Sequence, residues 1–217
     1  MKLGIVICTY ERPDLLAQCK KSILEADKPS DHEIVFVDDC SKNELTIGLL
    51  ATERYGAAIK EKNTGIHDSL KIGFHYLIAE GCDILMNLDS DAIIKKNGIE
   101  TLLYLHSRFS HTIVSGFNTL VPDAGTKKPR HPIVSEHKDY FTKKSIGGIN
   151  MLMNKEVYLK YIEPELVRYN WDWRVCQRMQ KDKKLFIVSN PSVVQHLGIK
   201  SAIGGIHNIN PDIAHDF

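Results

Sequence analysis

The chain has 217 residues, 43% hydrophobic and 25% charged; these are ordinary globular values, sufficient for one domain with a full core and too few for more than two. A formal net charge of +1 removes any bulk attraction to nucleic acid or an anionic membrane. Five cysteines, odd in number and without a CxxC spacing, fit free thiols in a reducing compartment, and no apolar run has the length of a secretion signal or a membrane span, so a cytoplasmic protein is expected.

Residues 3–8 are a continuous apolar run and predict a buried strand. A helix is predicted over 13–26, with Pro13 in its first turn and Leu15, Leu16, Cys19 and Ile23 on one stripe. Residues 33–38 (EIVFVD) predict a second strand, 44–55 a helix and 57–59 a short strand. Residues 66–79 place Ile66, Leu70, Phe74, Leu77 and Ile78 at helical spacing. A strand is predicted over 83–88 (DILMNL), then a helix over 98–109 and a strand over 112–115. Residues 117–145 carry three prolines and many charges with little periodicity, and predict a long irregular loop. Within it, the basic stretch Lys127-Lys128-Pro129-Arg130-His131 reads as a solvated loop, with an anion-binding loop as the alternative. A strand over 149–153, helices over 154–161 and 171–180, and strands over 185–189 and 193–196 complete the pattern. The polar tail 199–217, with Gly204, Gly205 and His207, is expected to be mobile.

Continuous apolar strands alternating with helices predict an α/β fold whose central, mainly parallel sheet is covered on both faces. Ligands of such sheets bind beyond the carboxyl ends of the strands. Three polar clusters fall there: Thr9-Tyr10-Glu11-Arg12, Asp38-Asp39 and Asp89-Ser90-Asp91. Asp89 and Asp91 on one turn suit a hard divalent cation, or else Asp91 caps the adjoining segment. Asp39 at a strand end can accept hydrogen bonds from a base or ribose, or cap the next helix with Ser41. Arg12 can neutralise phosphate and Tyr10 can pack on a base; Thr9 and Pro13 equally form a helix start. No GxGxxG or GxxxxGK[ST] motif occurs, which weighs against dehydrogenases and P-loop proteins.

The blocks ICTYERPDLLAQCKKSI, VFVDDCS, KNTGIHDSLKIG and ILMNLDSDAII, in that order, resemble the nucleotide-binding half of family 2 glycosyltransferases with the GT-A (Rossmann-like) fold. The resemblance implies one domain over 1–217, with a nucleotide-sugar-binding half at 1–95, an acceptor-side half at 96–198 and the tail 199–217. It implies that Thr9, Tyr10 and Glu11 line the nucleotide pocket with Arg12, and that Asp39 contacts the base. Asn63 and Gly65 stand in the block where the chain passes close to the nucleotide. Asp89, with Ser90 beside it, faces the ribose and donor sugar, and Asp91 the metal. The stretch Ile146-Gly147-Gly148-Ile149-Asn150 is similar to the glycine-containing strand between donor and acceptor. Asn170-Trp171-Asp172-Trp173-Arg174 is similar to the acidic motif of the acceptor-side helix, with Trp171 where a second acid usually stands. Asp172 is the general base on this reading, and His196, in a late HxG element, completes the metal shell.

The implied reaction is metal-dependent, inverting transfer of a sugar from a nucleoside-diphosphate sugar, UDP-sugar foremost, with Mn²⁺ or Mg²⁺ as cofactor. The acceptor is left open among a glycan, a lipid-linked sugar, a protein side chain and a modified nucleobase. Rival readings are a sugar-nucleotide nucleotidyltransferase, which needs a glycine- and arginine-rich loop after the first strand, and a non-catalytic nucleotide-sugar sensor. Of Trp171 and Trp173, one is expected in the core and the other as a flat platform. Arg174 and Arg178 are expected on a solvated face.

Overall fold

The first apolar run forms β1 (Leu3–Thr9), buried along its whole length. A computed structural model of the protein describes residues 1–51, 55–122, 127–198 and 212–217. Pro13 opens α1 (Pro13–Glu25), where a proline costs no hydrogen bond, and Asp14 complements the positive end of the helix. Then come β2 (His32–Asp38), α2 (Glu44–Ala51), β3 (Gly56–Ile59), α3 (Ile66–Ala79) and β4 (Ile84–Leu88). A three-residue strand β5 (Ala92–Ile94) precedes α4 (Gly98–Arg108) and β6 (Val114–Ser115). The second half holds β7 (Ile133–Glu136), β8 (Tyr140–Lys143), β9 (Asn150–Asn154), α5 (Lys155–Val157), α6 (Trp171–Lys181), β10 (Phe186–Ser189) and β11 (Val194–His196).

The main sheet is mixed, in the order β3-β2-β1-β4-β9-β6-β10-β8-β7. β3, β2, β1 and β4 are mutually parallel, with Thr9 level with Asp38. β9 runs antiparallel to β4, pairing Leu88 with Asn150. Alternation along β1 and β2 separates two cores. Leu3, Ile5, Ile7, Ile34 and Phe36 pack with the α1 and α4 residues Leu16, Cys19, Ile23, Leu102 and Leu105. Val6, Cys8, Val35 and Val37 pack with Leu70, Phe74 and Leu77 of α3 and with Trp171 and Val175 of α6. Both faces are covered, which is why these strands read as unbroken apolar runs.

Most predicted elements recur within a few residues of their expected ends. The loop expectation for 117–145 is corrected: 133–143 form a hairpin that joins β10 at the sheet's edge. Its four-residue strands are too short to show a period. β5 and β11, three residues each, pair with one another, and the pairing of β5 escaped the sequence for the same reason. The helix expected over 154–161 is one short α segment continued by a π-type turn, Tyr158–Ile162.

Residues 52–54 of the second predicted helix, and 199–211 of the tail, lie outside the described residues. The tail's last residues are held rather than loose. Ala214 bridges to Thr119, Gln195 exchanges hydrogen bonds with Ala214 (2.8 and 3.2 Å), and Ser192 Oγ donates to Asp216 (2.5 Å). All five cysteines are free thiols. Among the described residues no helix is long and apolar enough to cross a membrane.

α3 lies close on β1 because Gly73 has no side chain: a Cβ there would meet Val6 Cγ2 at 2.2 Å in a region with no slack. Gly73→Ala is expected to cost about 1–3 kcal/mol. Urea unfolding would show this as a lower midpoint at unchanged m-value.

Candidate active site

The ends of β1, β2 and β4 open into one cleft, lined in part by Thr9, Tyr10, Arg12, Asp39, Asp89, Ser90 and Asp91. Thr9 is buried, and its Oγ1 has no hydrogen-bond partner among the described residues. The Asp38-Asp39 pair divides its work. Asp38 accepts from Ser41 N and Oγ (2.7 and 2.6 Å) and shapes the turn after β2. Asp39 faces the cleft, where it accepts from Lys60 Nζ (2.7 Å), Thr64 N (2.9 Å) and Gly65 N (2.8 Å). Gly65 has φ +95°, and a Cβ on it would meet His67 Cε1 at 2.9 Å, so this turn favours glycine twice over.

Three predicted positions stand outside the cleft lining: Gly65, whose N–H is tied to Asp39, and also Glu11 and Asn63. Glu11, at φ +56°, turns toward the β2–α2 loop: its N–H donates to Ser41 Oγ (2.9 Å), and its carboxylate accepts from the backbone of Lys42 and of Asn43 (3.2 Å). Asn63 is exposed on the loop that Asp39 ties down. Conversely, Cys8, Ile66 and Ser69 line the cleft and Lys60 braces Asp39. Periodicity marks Cys8 and Ile66 only as apolar positions, and nothing in the sequence marks the other two.

Asp89 to Asp91 form the turn between β4 and β5, closed by Ala92 N donating to Asp89 O (3.0 Å). Arg12 pairs with Asp91 Oδ2, and His196 Nε2 lies 3.4 Å from the same oxygen. The Asp212 carbonyl accepts from His196 Nδ1 (2.9 Å), which leaves Nε2 as the nitrogen facing Asp91. Gly198 passes so close that a Cβ would sit 2.2 Å from Asp91 Oδ2 and 2.9 Å from His196 Nε2. Burial acts to raise the Asp91 pKa, but His196 and Arg12 outweigh it and hold the carboxyl low. For His196, burial acts to lower the pKa and the Asp91 and Asp89 carboxylates raise it. Asp89 is pushed up, chiefly by burial and then by Asp91.

A second cleft lies across Asp89, lined among others by Arg130, His131, Gly148, Asp172, Trp173 and His196. Asp172 stands in the first turn of α6, after Asn170 at φ +59°. Burial raises its pKa, opposed by backbone N–H groups of Trp173 and Gly148 that donate to the carboxylate. Gly148 fits only as glycine, since a Cβ would meet Trp171 Cζ2 at 2.7 Å. The two tryptophans divide as expected: Trp171 is 5% exposed in the core and Trp173 is 37% exposed. The basic stretch differs from its solvated expectation. Lys127 and Lys128 are exposed, but Arg130 pairs with Asp212 (3.6 Å), and His131 is buried against Trp173 and bonded to Ser145 Oγ (3.0 Å). Pro129 and Pro132 flank these two residues, and charge content alone hid their inward turn.

No group of three or more His, Cys, Asp or Glu side chains is arranged to hold a metal ion among the described residues. Asp91 Oδ2 and His196 Nε2 nevertheless stand 3.4 Å apart. A hard divalent cation bound by one or two protein groups and completed by substrate phosphates fits that donor set.

The fold is shared with solved glycosyltransferase structures. A crystal structure of GalNAc-T7 with UDP, GalNAc and Mn²⁺ aligns with a TM-score of 0.68 at 14% identity, covering 90% of this chain and 43% of that one. A crystal structure of S. aureus TarS 1-349 aligns with a TM-score of 0.58 at 15% identity, covering 87% of this chain and 58% of that one. The chain thus spans about half the length of the structures it matches. No match is found among curated protein sequences. Residues 4–160, well over half the chain, match the model of glycosyl transferase family 2, and the chain belongs to that family and has the GT-A fold.

Proposed function

We propose that the protein transfers a sugar from a nucleoside-diphosphate sugar, a UDP-sugar foremost, to an acceptor hydroxyl with inversion at the anomeric carbon. The observation that carries this reading is Asp89, which forms a common wall of the two clefts. A donor with its nucleotide along Thr9, Tyr10 and Asp39 would present its sugar at Asp89, and an acceptor in the second cleft would meet it beside Asp172. That the GalNAc-T7 structure holds UDP and Mn²⁺ on the same fold supports the donor class and the cation.

Each residue then has a chemical task. Thr9 Oγ1 offers an unused hydrogen-bonding group to the nucleotide. Asp39 keeps the 63–65 turn in place while facing the cleft. Arg12 offers a guanidinium to the diphosphate as well as to Asp91. Asp91 and His196 would hold Mn²⁺ or Mg²⁺, which would supply Lewis-acid stabilisation for the leaving diphosphate. The acceptor oxygen bonds to the anomeric carbon as the bond from that carbon to the phosphate oxygen breaks; the electron pair leaves on the nucleoside diphosphate and the acceptor proton passes to Asp172. The raised pKa of Asp172 suits a base that must hold that proton. A single base across Asp89 from the donor would suit an in-line, inverting displacement, as the family resemblance implies.

In a screen of UDP-, GDP-, dTDP- and CDP-sugars with Mn²⁺ or EDTA, we expect cation-dependent nucleotide release from one donor. Asp91→Ala should lower it by about two to three orders of magnitude. Absence of binding to every donor with Mn²⁺ present would sink the proposal.

Asp172→Asn should lower transfer by about 10²–10⁴-fold while the donor Kd, measured by calorimetry, stays within about twofold. Because burial lifts the Asp172 pKa, the base becomes protonated above the usual carboxylate range. The acid limb of kcat/KM against pH should therefore lie above that range, and a limb at an ordinary carboxylate pH would contradict the assignment.

A further inference from the structure

A groove on the outer face of α6 continues the Asp172 cleft away from the donor side. It is lined by Arg168, Tyr169, Asn170, Trp173, Arg174 and Gln177, and Tyr169, Asn170 and Trp173 belong to both. Residues 170, 173 and 177 are three and four apart, so they form one stripe running outward from the base. Trp173 and Tyr169 are 37% and 59% exposed. The helix does not need them for its core, since Trp171, Val175, Cys176 and Met179 fill that side.

The Trp173 ring is braced. It lies 5.0 Å from the His131 ring at 31°, and His131 is buried and bonded to Ser145 Oγ. Asn170 does not cap α6 with its side chain, so its amide is not spent on the helix end. Of the two arginines that line the groove, Arg168 is exposed and Arg174 is committed to its surroundings. Arg174 donates to Glu165, to the carbonyl of Tyr169 (2.6 Å) and to that of Arg168 (3.0 Å), and Glu165 also pairs with Arg178 (3.2 Å). The two arginines expected on a solvated face thus fasten the 165–169 loop, and that loop displays Tyr169.

We propose that this groove is the acceptor subsite and that the acceptor is a neutral saccharide of at least two rings. This rests on the function proposed above. A sugar ring has an apolar C–H face and a rim of hydroxyls. Trp173 and Tyr169 suit the face, and the amides of Asn170 and Gln177 both donate and accept at the rim. A saccharide with its reactive hydroxyl at Asp172 lays its next ring along Trp173 and Gln177. A polyanion such as nucleic acid would need a row of free guanidinium and ammonium groups along the groove, whereas Arg174 is committed to Glu165 and Arg168 is the other cationic side chain of this lining.

The chain has two tryptophans, and Trp171 is buried, so acrylamide quenching of fluorescence reports on Trp173. Wild-type protein would be titrated with maltotriose, cellotriose, chitotriose and mannotriose, and separately with a thymidine oligonucleotide. We expect at least one neutral trisaccharide to protect Trp173 and its monosaccharide to do so more weakly. The half-saturating concentration should be unchanged within about twofold from about 50 to about 300 mM salt. Gln177→Ala, an exposed change that leaves the core intact, should raise it by about fivefold. No protection by any of the four, an unaltered value in Gln177→Ala, or protection by the oligonucleotide alone would overturn the proposal. Calorimetric binding of UDP to the same sample tests the donor reading by itself: UDP binding without saccharide protection rejects the acceptor assignment alone, and the reverse rejects the donor reading alone.

Discussion

A strand covered on both faces has room for a carboxylate only at or past its ends. β1, β2 and β4 obey this constraint, and the rest of the site depends on it. Their side chains fill two cores on opposite faces, so the polar residues at and beyond their ends, Thr9, Asp39 and Asp89, collect on one rim. Parallel register then brings segments distant in sequence to the same height. The antiparallel β9 delivers Gly148 and Ile149 to that rim from the other half of the chain, and Asp89 N donates to Ile149 O at 2.9 Å.

Gathering acids in a low-dielectric rim raises their cost, and each is answered differently. Asp39 is neutralised by Lys60 and by two backbone N–H groups. Asp91 is held low by His196 and Arg12. Asp89 and Asp172 are pushed upward by burial. Environment thus divides the four carboxyls: Asp39 and Asp91 are paired with cationic side chains, whereas burial pushes the pKa values of Asp89 and Asp172 up. Divergence of this kind marks a candidate functional site.

The C-terminal residues take part in this arrangement from outside the rim. The Asp212 carbonyl sets the His196 ring, Gln195 clamps Ala214, and Arg130 pairs with Asp212. Gly198 and Gly148 are places where a Cβ would collide with a neighbouring side chain, with Asp91 at the first and with the core residue Trp171 at the second. On α6, adjacent residues serve opposite ends: Trp171 completes the core, Asp172 lines the cleft, and Trp173 is displayed beside it.

The alternation of apolar strands and helices was legible in the amino-acid order alone, because burial on both faces leaves an unbroken apolar signature. So were the clusters that terminate the strands, and hence Thr9, Tyr10, Arg12, Asp39 and the Asp89–Asp91 turn as cleft residues. The two tryptophans could be separated too, since neighbours two apart on a helix cannot share a face. Contacts between remote segments, present only in the folded chain, account for the rest. The hairpin 133–143 and the β5–β11 pair are stabilised by partners rather than by any local period. Glu11 was drawn from the cleft by the 42–43 backbone, and Asn63 was left at the surface while its loop was anchored by Asp39. Arg130 and His131 turned inward, and Arg174 became a loop clamp, because the fold sets Asp212, Ser145 and Glu165 within their reach. Local sequence reports periodicity and capping, whereas the partner of a charged side chain is set by which distant backbone the fold brings within hydrogen-bond reach.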